Sequence, residues 1–254
     1  MTARSTTGGV LLLLAHPDDE SFMAAGTVRA LAERGVRTAL VCATRGDAGG
    51  MGDPPLATRE TLPRVREGEL HAACEILDVA SVELLDYHDR QLGGAPVDAM
   101  RASLVGAIRR ERPRVVVTFD PHGFNLHPDH VAISRFALDA VTVAADARWL
   151  PALGAPHQVD RVVWPSPVEP WEEWRPAALA GRPGVDFVID VSCWRADKAR
   201  ALRAHRTQHR SIDPRWFAPA ESEAILSTET FRLGWGWPPN VRPACDLFDG
   251  LASS

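Results

Sequence analysis

The stretch Val10-Leu11-Leu12-Leu13-Leu14-Ala15-His16-Pro17-Asp18-Asp19-Glu20 decides the fold class. A continuous apolar run of strand length ends on one imidazole and three carboxylates, and Phe22 to Arg34 then carries Ala24, Val28, Leu31 and Ala32 at helical spacing. A strand that is apolar at every position is buried on both faces, which is the situation of a central strand in a parallel sheet. Working outward, Val36 to Ala43 predicts a second buried strand, and the glycine-rich Arg45-Gly46-Asp47-Ala48-Gly49-Gly50-Met51-Gly52 with Pro54-Pro55 predicts the loop at its carboxyl end. Leu62 to Leu77 reads as a helix, Val82 to Asp86 as a short strand, Val97 to Arg110 as a helix and Val115 to Phe119 as a strand. A further helix begins near Pro128, a residue well suited to a first helical turn, and runs through Ile133, Phe136, Ala137 and Val141.

This alternation predicts an α/β, Rossmann-like architecture, a mostly parallel sheet with helices on both faces. Arg148 to Pro183 is rich in proline and tryptophan and holds one expected strand, Arg161 to Trp164; it reads as an elaborated insertion. Phe187 to Val191 reads as a last strand and Trp194 to His209 as one long helix. With no linker or internal repeat, a single domain spanning 1–254 is expected, with a core at 9–210 and a C-terminal tail at 211–254.

Composition narrows the function classes. The 254 residues are 45% hydrophobic and 24% charged, which is globular, and 33 acidic against 28 basic side chains leave a net charge of −5, the wrong sign for a phosphate-neutralising surface. Nucleic acid is therefore not an expected partner. The longest apolar run, Val10 to Ala15, is far short of the roughly 18 residues of a membrane-spanning helix and has no signal-cleavage pattern, so a cytoplasmic protein without a membrane span is expected. Cys42, Cys74, Cys193 and Cys245 form no CxxC pair and read as buried reduced thiols.

Two clusters carry chemistry. His16 to Glu20 stands at the end of a buried strand, where packing does not call for such residues; an acidic helix start that caps backbone N–H groups explains Asp18 or Asp19 but not the histidine. Imidazole and carboxylate are both good zinc ligands, and a catalytic zinc site takes about three protein ligands with one open position. His16 and Asp19 can supply two, while Asp18 is placed to accept a proton from water and Glu20 to act electrostatically at the helix entry. The second cluster, Asp120 to His130, also follows a buried strand and runs into a helix. His127 and His130, three apart, can approach one site from a first helical turn. His71, His88, His122 and His157 read as bystanders.

Ala15-His16-Pro17-Asp18-Asp19-Glu20 and His127-Pro128-Asp129-His130 together make the chain resemble the PIG-L/LmbE-type zinc-dependent de-N-acetylases. Weaker echoes are Thr44 to Gly50, Arg66-Glu67-Gly68-Glu69, the Leu85 to Leu92 segment with Asp89, and Lys198 to Gln208 with His205, so the likeness covers roughly residues 9–210. The resemblance implies one zinc ion per chain, another divalent metal being the alternative, bound by His16, Asp19 and His130. It implies Asp18 as general base, His127 as the group facing the substrate carbonyl, and Arg66 and Asp89 as substrate contacts. Asp129 is expected to orient His127 through its second nitrogen, and a protonated His127 to stabilise the oxyanion. The implied reaction is removal of an N-acetyl group from an N-acetylglucosaminyl conjugate or related amide, and homo-oligomers are common in such a family.

One departure is that some relatives carry an aromatic hydroxyl just before the second motif, whereas this chain reads Phe124-Asn125-Leu126 and has Tyr87 as its single tyrosine. Rival readings are an amidase acting on a thiol conjugate or other non-sugar amide, and a metal- or sugar-binding protein without activity. A dinucleotide oxidoreductase fails because the loop after the first strand lacks a glycine fingerprint and holds three carboxylates that repel a pyrophosphate. Trp171-Glu172-Glu173-Trp174 and Trp235-Gly236-Trp237 are candidate sugar platforms, with core or subunit packing as the expected role.

Overall fold

The structure is a computed structural model that describes residues 8–166 and 185–252. Seven strands form one sheet in the order β3-β2-β1-β4-β5-β7-β6. They are β1 Val10–Leu14, β2 Thr38–Thr44, β3 Ser81–Tyr87, β4 Val115–Val117, β5 Arg161–Pro165, β6 Phe187–Asp190 and β7 Thr228–Gly236. The first five in space run parallel, with β1 in register Val10↔Thr38 on one side and Val10↔Val115 on the other. Every residue of β1 and β2 is buried, as strands covered on both faces require, whereas the edge strand β3 is half-buried.

Helices α1 Asp19–Met23, α2 Ala25–Glu33, α3 Leu62–Leu77 and α6 Arg195–Ala204 pack as one group, while α4 Val97–Glu111 and α5 Pro128–Ala144 pack as another, giving the expected layers on the two faces of the sheet. Because α1 follows β1 and α5 follows the adjacent β4, chain direction diverges between these two strands. The crevice outside their carboxyl ends is where such sheets bind ligands, and both polar clusters lie in it.

Three details differ from the sequence reading. The expected helix over Phe22 to Arg34 is two, because Ala24 leaves helical geometry at φ −150°, ψ 15°. The expected long helix from Trp194 to His209 ends at Ala204; a 3-10 turn, Arg206–Gln208, and then α7, His209–Trp216, follow, with α8 at Ser222–Ser227. The break brings His205 inward to full burial. Most consequentially, the expected tail contributes β7, which lies between β5 and β6 and is antiparallel to both. Its sequence, Thr-Glu-Thr-Phe-Arg-Leu-Gly-Trp-Gly, shows no continuous apolar run: Thr228, Glu229 and Thr230 line the cavity, and a Cβ built at Gly234 or Gly236 would run into Trp164 or the backbone at Asp160.

The four cysteines are free, but only Cys42 and Cys74 are buried; Cys193 and Cys245 are exposed. Trp235 and Trp237 are exposed as well, so neither is core. Trp171 and Trp174 lie outside the described residues. No helix among the described residues is long and apolar enough to cross a membrane.

Candidate metal and catalytic site

His16 follows β1 directly, and its ring is fixed on both nitrogens. Nε2 lies 3.1 Å from the Asp129 carboxylate and 3.2 Å from that of Asp89, so it carries the proton, and Nδ1 presents its lone pair. His130, in the first turn of α5, places Nδ1 at 3.1 Å from the Gly123 carbonyl oxygen, which makes Nδ1 its donor and leaves Nε2 as a lone pair. Asp19 is oriented through Oδ2, which accepts the backbone N–H groups of Ala15 and His16 at 3.1 and 2.8 Å.

The free donors converge. His16 Nδ1 is 3.1 Å from His130 Nε2, His130 Nε2 is 3.3 Å from Asp19 Oδ1, and His16 Nδ1 is 3.7 Å from Asp19 Oδ2. Ligands about 2.0 Å from a tetrahedral ion stand roughly 3.3 Å apart, so the spacing fits a zinc-sized cation. Two lone pairs and a carboxylate facing one another repel unless a cation or a proton lies between them. The surroundings are accordingly cation-seeking: burial opposes charge on His16, yet Asp129, Asp89 and Asp19 outweigh it and raise its pKa to about 10. Burial likewise opposes ionisation of Asp19, but His130 and His16 hold it down at about 2. His127 offers another donor to the pair of rings, within 4.8 Å of both.

Asp18 stands beside this group in a backbone conformation, φ 120°, that is rare for a residue with a side chain. Burial pushes its carboxyl up, Arg66 pulls it down and Asp19 pushes it up again, with the result at about 6. The Arg66 guanidinium is almost wholly buried and donates to Asp18 Oδ2 at 3.0 Å, to the Gly46 carbonyl at 3.0 Å and to the Pro17 carbonyl. Its partner is thus Asp18, and it is not the helix-surface residue that its letters suggest. Asp89, the other expected substrate contact, faces His16, and its own backbone N–H is tied to Asp47 at 2.8 Å.

Asp129 differs from expectation. Its carboxylate meets His16 and accepts the N–H groups of Arg90 and, at 3.0 Å, of Leu92, while only its backbone N–H meets His127, at 3.2 Å from Nδ1. A side chain in the first turn of a helix points back along the axis toward the crevice floor, which puts it against His16. His127 accepts through Nδ1, so Nε2 carries its proton in the neutral ring. Burial and the neighbouring His16 and His130 lower its pKa, which opposes the expected cationic form.

Sequence reasoning missed the supports. Glu20, in the first turn of α1, is buried, accepts the Asp18 N–H at 3.1 Å, and pairs with His205 Nε2 at 2.8 Å. Glu69 accepts both the N–H and the hydroxyl of Thr207, at 2.8 and 2.6 Å. Gln208 grips Gly50 through both its amide groups. The weaker echoes in the sequence were the one signal of these locks, since the partners lie more than a hundred residues apart. His71, His88, His122 and His157 do not line the cavity.

That cavity, about 440 Å³, opens on His16, Asp18, Asp19, His127 and His130, and its far wall is formed by Phe22, Trp216 and the β7 residues Thr228 to Thr230. Residues 11–141 match the family described as PIG-L, GlcNAc-PI de-N-acetylase. The chain belongs to the PIG-L family. It is 33% identical to the 1D-myo-inositol 2-acetamido-2-deoxy-alpha-D-glucopyranoside deacetylase of Streptomyces avermitilis over 96% of this chain and 97% of that one. It is 34% identical to a probable N-acetyl-alpha-D-glucosaminyl L-malate deacetylase 2 of Bacillus cereus over 90% of this chain and 96% of that one. The PIG-L fold is also seen in the N,N'-diacetylchitobiose deacetylase of Pyrococcus horikoshii, with a TM-score of 0.69 at 21% identity, covering 89% of this chain and 83% of that chain.

Proposed function

We propose that this PIG-L protein is a zinc-dependent hydrolase that removes the N-acetyl group of an N-acetylglucosaminyl conjugate, giving acetate and a free amine. The observation that carries the proposal is the convergence of His16 Nδ1, His130 Nε2 and Asp19 at 3.1–3.7 Å with Asp18 alongside at the cavity mouth. The sugar and the acyl group are inferred from the deacetylase relatives. His16, Asp19 and His130 would hold the ion. A zinc ion in this set would supply Lewis-acid polarisation of the amide carbonyl and would acidify water.

The chain's own groups do the rest. Asp18 takes a proton from the water that attacks the carbonyl carbon, and a carboxyl whose pKa lies at about 6 can both accept that proton and give it up near neutrality. Neutral His127 donates Nε2–H to the carbonyl oxygen as negative charge develops there, an interaction often worth about 10²–10³ in rate. The C–N bond breaks as Asp18 passes its proton to the departing nitrogen. Arg66 keeps Asp18 aimed and Asp129 keeps His16 in the metal-binding tautomer. Asp89 neutralises the cationic surroundings of His16 and borders the space for the sugar.

The test is release of free amine from a panel of N-acetylglucosaminyl glycosides and simple acetamides by protein stripped of metal and reloaded with zinc. Zinc-dependent release is expected, and Asp18→Ala should keep its zinc while turnover drops at least about a hundredfold. Near-normal turnover by zinc-loaded Asp18→Ala protein would remove Asp18 from the mechanism. Tight zinc binding with no hydrolysis of any member of the panel would leave a binding protein.

A further inference from the structure

Asp18 occupies φ 120°, ψ −25°, a region that a residue with a side chain enters only where its surroundings over-determine it. Those surroundings act on both sides of the residue. Because peptide groups are planar, φ and ψ of Asp18 are set once the peptide planes before and after it are held. After Asp18, its carbonyl oxygen accepts the N–H groups of Ser21 and Phe22, each at 3.0 Å. Before it, the Pro17–Asp18 peptide is gripped at both edges: Arg66 donates to the Pro17 carbonyl, and Glu20 Oε2 accepts the Asp18 N–H at 3.1 Å.

Glu20 is itself held from a distance. Its other oxygen, Oε1, accepts from the Ser21 hydroxyl and pairs with His205 Nε2 at 2.8 Å, 185 positions further along the chain. Glu20, Ser21 and His205 are all fully buried. A carboxylate that only caps a helix start does so at the surface and alone, whereas burying one is costly unless a partner is supplied with it. None of the three residues lines the cavity. The hydrogen-bonded link from this pair to the reacting groups runs through the Asp18 N–H.

We infer that the buried Glu20–His205 pair is a positioning device for Asp18: by holding Glu20 Oε2 on the Asp18 N–H, it keeps the Pro17–Asp18 peptide turned so that the Asp18 carboxylate stays against Arg66 and beside the metal-binding group. The inference rests on the reading of Asp18 as general base and adds to it the device that aims the base. Rotation about φ of Asp18 swings its Cα–Cβ bond relative to the strand that precedes it. Release of the N–H therefore lets the backbone relax and carries the carboxylate off its line, and a displacement of about 1 Å can cost about 10² in rate. Glu20 and His205 are positioning residues, and neither touches substrate.

Glu20→Leu removes the acceptor at similar size, Glu20→Gln keeps an amide oxygen for the Asp18 N–H, and His205→Leu leaves Glu20 in place with Oε1 released. The measurements are kcat and KM on an N-acetylglucosaminyl glycoside, zinc content, Tm and the crystal structure of the Glu20→Leu protein. Glu20→Leu is expected to keep its zinc and its KM while kcat falls about tenfold or more, and Glu20→Gln to recover most of that loss. In an Asp18→Ala background, Glu20→Leu should change the residual zinc-dependent turnover by less than about twofold, because groups that act as a unit are not additive. An equal loss in both backgrounds would overturn the inference, since Glu20 would then support the fold at large; so would wild-type kcat in Glu20→Leu, or loss of its zinc. Should Glu20→Leu fail to fold, His205→Leu goes through the same comparison with the same deciding outcomes, and failure of both to fold makes the pair structural and overturns the inference. If the wild-type protein hydrolyses no N-acetyl sugar, the activity proposal fails by itself and the crystal structure decides the positioning. Asp18 at negative φ and away from Arg66 supports it; Asp18 unmoved near φ 120° overturns it.

Discussion

Arg66 shows how one buried side chain sets the chemistry of another. Its guanidinium lowers the pKa of Asp18 against burial and against Asp19, both of which raise it. As the proposed general base, Asp18 has to be ionised, so activity is expected to be lost as pH falls through its pKa. Replacing the cation by a neutral amide in Arg66→Gln removes the lowering influence and leaves the raising ones. The acid limb of the kcat/KM profile should therefore move to higher pH, with activity above that limb reduced less than in Asp18→Ala. An unchanged acid limb in the pH profile of Arg66→Gln would show that Asp18 does not feel Arg66. At this scale the first motif was legible in the sequence, because one imidazole and three carboxylates at a strand end have no packing rationale. The direction of each side chain was not: Arg66 toward Asp18 and Asp129 toward His16 depend on contacts between residues 48 and 113 positions apart.

At the scale of elements, the glycine-rich loop after β2 is shaped around that arginine. Gly46 has φ 63°, and a Cβ built there would stand 2.1 Å from Arg66 Nη1. Thr44 holds the start of the loop through its hydroxyl, donating to the Ala15 carbonyl at 2.9 Å and accepting the Gly46 N–H at 3.1 Å. Gly46→Ala should consequently act in two ways. The left-handed backbone costs a side-chain-bearing residue about 1 kcal/mol or more in stability, read as a lower urea midpoint. The displaced guanidinium should also shift the acid limb of kcat/KM upward, as Arg66→Gln does. A stability loss with an unmoved pH profile would mean that the loop yields without disturbing Asp18. Helices with strong periodicity, such as Leu62–Leu77, were read from sequence to the residue, whereas the break at His205 was not. Helical spacing continues through that break, where His205 leaves helical geometry and pairs with Glu20.

For the whole molecule, residues beyond 210 were read as a tail, yet the sheet closes with β7 and the chain after it wraps a buried cation. Arg161 on β5 is fully buried and donates to the carbonyl oxygens of Leu247 at 2.8 Å, Asp249 at 2.8 Å and Pro238 at 3.2 Å. Its guanidinium also lies 5.2 Å from the centre of the Phe187 ring on β6. Burial lowers its pKa, the mark of a charge whose hydration has been exchanged for these carbonyls. Hydrophobic patterning could not reveal this arrangement, because an arginine in a strand reads as a solvent-facing position until its partners are known. Ending the chain after Gly236 removes all three carbonyls and leaves a charge partly stripped of its partners. Breaking a buried charge's contacts from one side costs about 3–5 kcal/mol, far more than replacing the charge by an apolar group of similar size. The shortened chain should therefore unfold at a much lower urea concentration than the full one. Arg161→Met in the shortened chain should recover part of that loss, although in the full chain the same substitution should destabilise by abandoning three acceptors. Equal urea midpoints for the shortened chain with and without Arg161→Met would show that the C-terminal segment stabilises the sheet by covering apolar surface and not by satisfying Arg161.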